Sequence, residues 1–201
     1  MIANSPIPPV VPAGRMAQDP QPVLDLPRGL ELRPWRPGDA DALVAAGQDP
    51  SIRQWNLLHV ESPEDARNRI ARMHERWRAE QGAIWAIARS DGNGDGEAIG
   101  LIGWNDIDLT GGSAEIVYWI LPAARGGGVV VEAVKRLSRW ALEDLGLHRL
   151  QLCHSVANPA SCRVAAKAGY SLEGTMRGAL LHADGWHDLH LHALVKGDST
   201  S

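Results

Sequence analysis

Twelve residues, PAARGGGVVVEA at 122–133, set three consecutive glycines between an apolar segment and an amphipathic helix. No other stretch constrains the fold so strongly. Glycine lets the backbone turn where side chains would collide, so the amides of Arg125-Gly126-Gly127-Gly128 can face one anionic group. The helix that follows adds its own unpaired N–H groups and the positive end of its dipole. The result is a phosphate cradle; the competing reading is a plain flexible loop.

Patterning around the glycines predicts a mixed α/β fold with a mostly antiparallel central sheet flanked by helices. Strands are predicted for LELRPW from Leu30, AIWAIAR (83–89), AIGLIGW (98–104), AEIVYWIL (114–121), RLQLCHSV (149–156), a segment near 170–175 and WHDLHLHALV (186–195). Asp39 is placed to cap a helix over about 40–47. Ser62-Pro63 with Asp65 opens a second helix, whose Ala66, Ile70, Met73 and Trp77 recur every three to four residues. Val130, Val134, Leu137 and Ala141 give the helix after the glycines one apolar face, and Gly146 stops it. A short helix over about 160–168 follows Asn158-Pro159. Loop 90–97, SDGNGDGE, lacks the acidic spacing of a calcium loop and reads as a hairpin connection.

Nine of the 13 prolines lie within residues 1–37. Residues 1–27 therefore read as an arm, mobile or draped over a surface, ahead of a domain over 28–197 and a tail at 198–201. With 20 basic and 24 acidic residues and no Lys/Arg block, the net charge of −4 disfavours a nucleic-acid partner. No apolar run approaches the roughly 20 residues that span a bilayer, so no membrane partner is expected. Two cysteines, Cys153 and Cys162, fit a reducing, cytoplasmic setting.

What the cradle holds is narrowed by what is missing. No Gly-Lys-Ser/Thr follows the glycines, which disfavours NTPase chemistry, and the early Gly-x-Gly-x-x-Gly of a dinucleotide fold is absent. A diphosphate held mainly by backbone amides, with Arg125 as supplementary charge, remains.

Four segments, LRPWRPGDADAL (32–43), AEIVYWILPAARGGGVVVEAV (114–134), GLHRLQLCHSVANPASCRVAAKAGYSLEG (146–174) and GWHDLHLHAL (185–194), resemble the GCN5-related N-acetyltransferase (GNAT) family. Within it the likeness is greatest to the branch that acetylates N-terminal amines of ribosomal proteins, and it covers essentially all of 30–196. The resemblance implies the acyl-CoA N-acyltransferase fold and direct transfer of acetyl from acetyl-CoA to an amine. It assigns the diphosphate to Arg125, Gly126, Gly127, Gly128, Val129 and Val130, the last standing where the family has a small residue. Trp119, Ile120 and Leu121 on the central strand would border the pantetheine arm, with an amide at Trp119 or Ile120 polarising the thioester. Asn158 would hydrogen-bond that arm, unless it serves only as a turn opener.

Ser161 is the residue the resemblance offers for protonating the leaving thiolate; its competing role is to cap the helix it starts. The tyrosine that many members use there is replaced by Ala165, and the branch's glutamate base by Leu180. Glu115, acting through water, is the alternative base, and its competitor is a strand residue paired with an arginine. An α-amine titrates near pH 8, so a strong base is not essential.

His182, His187, His190 and His192 suggest a metal, but His187 lies opposite His190 and His192 on a strand, so no metal site is expected. These histidines are instead expected at the acceptor pocket or at a homodimer contact. Cys153 and Cys162 read as packing residues. Trp35, Trp55 and Trp77 are offered as lining or core, and the acidic front (Glu31, Asp39, Asp41, Glu61, Asp65) as either welcoming a cationic acceptor or merely solvating the surface. Rival readings are a non-catalytic acyl-CoA-binding module and an acyltransferase with a longer acyl group.

Overall fold

The computed structural model describes residues 7–56, 58–90, 92, 96–104 and 106–198. Residues 1–6 of the arm, 199–201 of the tail, and Asp91, Asn93, Gly94 and Asp95 of the 90–97 loop lie outside the described residues. Strands β1 (Leu24–Leu26), β2 (Leu30–Pro34), β3 (Ala83–Arg89), β4 (Ala98–Trp104) and β7 (Val117–Ile120) form an antiparallel sheet in the order β1-β2-β3-β4-β7. A second sheet runs β5-β6-β8-β10-β9, from β5 (Ile107–Asp108), β6 (Ser113–Glu115), β8 (Arg149–Ser155), β9 (Ser171–His182) and β10 (Gly185–Val195). Its β6–β8 pairing is parallel, and the rest is antiparallel.

Helices α1 (Ala40–Gln48), α2 (Pro50–Asn56) and α3 (Pro63–Arg78) precede β3, whereas α4 (Val129–Arg139) and α5 (Pro159–Lys167) flank β8. The first sheet is covered on both faces. Trp35, Leu43, Ile70 and Trp119 pack on one side; Trp85, Leu137 and Leu150 pack on the other. That double cover explains why AIWAIAR is an unbroken apolar run rather than an alternating one.

Several local expectations change in the fold. The predicted strand 114–121 is two strands: Ile116 breaks it, so β6 joins the second sheet and β7 the first. The α4 helix ends in a π-helical segment, Trp140–Leu145, before Gly146 takes a left-handed turn at φ 93°. The region past Gly169 is one long hairpin, β9–β10. Asp39 precedes α1 without capping it, because its carboxylate accepts from Arg33 Nη1 and Nη2 at 2.7 and 2.9 Å and from the Arg36 N–H. Ser62 does cap α3, accepting from the Asp65 N–H at 3.1 Å.

The described part of the proline-rich arm lies on the domain, and the sheet starts one strand earlier than the sequence suggests, at β1. Val11 and Met16 are buried in the core. The N–H groups of Val10 and Val11 bond to the carbonyls of Thr110 and Leu109. The Glu80 carboxylate accepts from the N–H groups of Gly14, Met16 and Ala17 at 2.6, 2.6 and 3.0 Å. Burial opposes the charge on Glu80, but these three donors outweigh it and hold its pKa below the ordinary carboxylate value.

A group so stabilised contributes above its unfolded pKa and loses that contribution as pH falls through the lower folded value. Glu80→Ala is therefore expected to cost about 1.5–3 kcal/mol at neutral pH, the range for hydrogen bonds to a charged group. The deficit against the parent should shrink in acid, as chemical denaturation at pH 7 and pH 3 would show.

Candidate active site

The switch of sheets at Ile116 creates the site. The Ile116 N–H bonds to the Gln151 carbonyl at 2.7 Å, the last tie between this strand and β8. Beyond it β7 follows β4 while β8 continues with β10, and a cleft of about 1050 Å³ opens between them. The Leu121 N–H bonds to Ile99 in β4, in register with Trp119 opposite Leu101. Alternation along an antiparallel ladder then turns the N–H and C=O groups of Tyr118 and Ile120 toward the cleft and those of Trp119 toward β4. Of the two amides considered from the sequence, only that of Ile120 faces the opening. The Trp119 ring is buried, with its centroid 6.0 Å from that of Trp35.

At the mouth, Gly126 and Gly128 have φ of 89° and 72°, conformations that favour glycine, and all three glycines are exposed. A Cβ built on Gly126 would meet nothing within 4 Å, so protein packing does not explain the glycine there. The helical ladder begins with the Glu132 N–H on the Gly128 carbonyl, leaving the N–H groups of Val129, Val130 and Val131 without partners in the helix.

Arg125 lines the cleft mouth, where Nε donates to the Ile120 carbonyl at 3.2 Å and Nη2 to Asp49 at 3.1 Å, across to the start of α2. The cation beside the glycines is Arg28, whose Nη1 donates to the Gly127 carbonyl at 2.7 Å. The sequence reading missed it because it lies 99 residues away, in the β1–β2 turn.

Asn158 is the N-cap of α5, its Oδ1 accepting from the Ser161 N–H at 3.2 Å. Ser161 is thus not the cap, and its hydroxyl is released from that duty. It lines the cleft beside the Tyr118 hydroxyl, near enough to favour that phenolate although short of full hydrogen-bond geometry. Burial is the larger effect and pushes Tyr118 up to about 12, so the phenol keeps its proton. Position 165 of α5 is alanine, and the phenol beside Ser161 comes instead from β7.

Glu115 opens onto the cleft next to Cys153. Desolvation raises its pKa, the neighbouring Cys153 thiol partly offsets this, and Asp106 adds to the rise. Cys153, pushed up to about 12 by burial and then by Glu115, is a protonated thiol rather than a nucleophile.

The far end of the cleft is formed by α2, β9 and α3. Trp55 lines it, whereas Trp35 and Trp77 are core. His182 is 4% exposed and sits edge-on to Trp55, its Nδ1 2.8 Å from the Gln54 carbonyl. A carbonyl accepts only from N–H, so Nδ1 carries the proton and Nε2, buried and without a partner, presents a lone pair. His187 bridges Ser155 (2.7 Å) and Asp184 (3.0 Å). Arg69, Arg72 and Arg76 of α3 border the same end, and burial followed by the neighbouring Arg72 charge lowers the Arg69 pKa. Of the acidic front, Glu31 and Asp39 are turned in on Arg33, whereas Glu61 and Asp65 border a small pocket shared with Arg69 and Arg72.

Residues 29–171 match the acetyltransferase (GNAT) domain family. The chain belongs to the GNAT acetyltransferases. It is 30% identical over 176 residues to the uncharacterized N-acetyltransferase YoaA of Bacillus subtilis (strain 168), covering 87% of this chain and 97% of that protein. It is also 30% identical over 139 residues to the ribosomal-protein-serine acetyltransferase of Escherichia coli (strain K12), covering 68% and 73%. Among solved structures, the coenzyme A complex of RimL, a ribosomal L7/L12 alpha-N-protein acetyltransferase, superimposes with a TM-score of 0.77 at 20% identity, over 87% of this chain and 98% of that one. At that identity the likeness concerns the fold. Among the described residues, no helix is long and apolar enough to cross a membrane.

Proposed function

We propose that this GNAT-fold protein transfers an acetyl group from acetyl-CoA directly to a primary amine, with a protein N-terminal α-amine the leading acceptor class. The observation that carries the proposal is convergence: the exposed glycine turn, the open edge of β7, Ser161 and Glu115 all border one cleft. Backbone donors at Gly126–Val131, with Arg28 nearby, suit a diphosphate. The outward groups of Tyr118 and Ile120 can accept an extended amide-containing arm as an added strand. The donor supplies an activated acyl carbon whose leaving group is a thiolate.

In this reading the Ile120 N–H polarises the thioester carbonyl. Glu115 takes the amine proton, directly or through water, and its raised pKa brings it closer to the working pH. His182 offers a second proton acceptor at the acceptor end. Ser161, with Tyr118 behind it, returns a proton to the departing sulfur. Arg69 and Arg72 of α3 suit an acceptor that bears an anionic group near its amine.

Leu180, which lines the cleft where the branch has a glutamate, keeps a second reading open: a module that binds acyl-CoA without turning it over. A thiol-release assay with acetyl and longer acyl donors and a panel of peptide and small amines separates the two. Turnover is expected with acetyl-CoA. Ser161→Ala should lower kcat by about 100-fold while the KM for acetyl-CoA stays within about threefold. Unchanged turnover in that variant would remove Ser161 from the chemistry, and no thiol release with any amine would favour the binding module.

A further inference from the structure

Beneath α5, on the face of the second sheet turned away from Glu115, three histidines and a cysteine meet. His154 of β8 pairs in register with His190 of β10; His192 lies two residues along the same strand, and Cys162 comes down from α5. One ligand atom from each lies within 4.8 Å of every other. His154 and His192 are 7% and 3% exposed. From these observations we propose that His154, Cys162, His190 and His192 bind one divalent transition-metal ion of the zinc class, which takes no part in acetyl transfer itself.

The hydrogen bonds make the case. His154 Nδ1 lies 2.8 Å from the Ser155 carbonyl, so that nitrogen bears the proton and Nε2 is a bare lone pair. This is how a ligating histidine is oriented by its neighbours. Its Nε2 stands 3.2 Å from His192 Nε2. If His192 carries its proton on Nδ1, two lone pairs oppose each other in a buried place. If the proton is on Nε2, His192 Nδ1 is left a buried acceptor with no partner. His190 Nδ1 is likewise buried and unpartnered. Orphaned polar atoms of this kind are rare in folded proteins, and several in one cluster point to a ligand. A cation shared between the Nε2 atoms turns the opposed lone pairs into ligands.

The donor set names the ion class. Imidazole and thiolate are borderline-soft donors, and four of them with no open position form a closed tetrahedral site. Bonds of about 2.0–2.3 Å place tetrahedral ligand atoms roughly 3.3–3.7 Å apart. The His154–His192 separation is already there, and the widest pair needs to contract by about an ångström. Binding forms one metal–sulfur bond and releases one proton, from the Cys162 thiol, to solvent. The ion would fasten α5 to β8 and β10. The site is therefore structural, holding in place the helix whose first turn carries Asn158 and Ser161.

The test uses the full chain, stripped with a chelator and titrated with Co²⁺ alone. One equivalent should give the intense visible bands of tetrahedral cobalt and a thiolate charge-transfer band, both abolished by one equivalent of Zn²⁺. Cys162→Ser, nearly isosteric, should lose the thiolate band, and His192→Ala should weaken cobalt binding by at least about 100-fold. Zn²⁺ should raise the Tm of the parent and not that of His192→Ala. Absence of stoichiometric cobalt binding, a weak octahedral spectrum, or a parent-like thiolate band in Cys162→Ser would each overturn the proposal.

Discussion

Replacing Gly128 by valine is expected to weaken acetyl-CoA binding by at least about 100-fold and leave a folded protein. The φ of 72° at this position costs a branched side chain roughly 1–2 kcal/mol, well within the 5–15 kcal/mol of an ordinary domain. The side chain would meet little else, since the nearest atom to a Cβ there is the Arg28 guanidinium at 3.9 Å. The loss instead falls on the ligand. A bulky group at the mouth, or relaxation of the turn to negative φ, removes main-chain donors from a charged diphosphate, each worth about 1.5–3 kcal/mol. Two such bonds account for the expected factor, at about 1.4 kcal/mol per tenfold. Calorimetric titration with acetyl-CoA, beside a thermal melt of the same variant, separates binding from folding. Parent-like affinity in a well-folded Gly128→Val protein would mean the diphosphate lies elsewhere.

Glu115→Gln should lower kcat by about 100-fold or more and remove one limb of the pH profile. A general base acts when deprotonated, so kcat/KM for the parent should rise with pH through the Glu115 pKa, which partial desolvation in the cleft raises above the ordinary glutamate value. With an α-amine acceptor a second rise follows near pH 8, as the acceptor itself loses its proton. Glutamine keeps the shape and abolishes only the first rise. If both rises persist in Glu115→Gln and the first vanishes in His182→Gln, the proton passes to the imidazole on the acceptor side.

Features carried by local spacing were legible in the sequence. The glycine turn, the Ser62 cap, the apolar stripe of α3 and the paired strands around residue 90 all follow from residues within a few positions of each other. What stayed hidden depends on cross-strand register or on distant partners. Arg28 beside Gly127 and Tyr118 beside Ser161 are examples. The histidine cluster is another: alternation along β10 separates His187 from His190 and His192, but only the register of β8 against β10 brings in His154. Arg125 shows both sides: its place beside the glycines is local, but its ion pair with Asp49 depends on a residue 76 positions away.

Ile116, where one strand changes allegiance between sheets, has a wider consequence. The gap it opens is bounded by peptide groups, and peptide groups are the same whatever side chains they carry. A change of side chain along 117–120 that keeps the strand in place therefore leaves the donors and acceptors of the entrance intact. Such a doorway stands ready before any guest arrives, sparing the protein a reshaping step on binding.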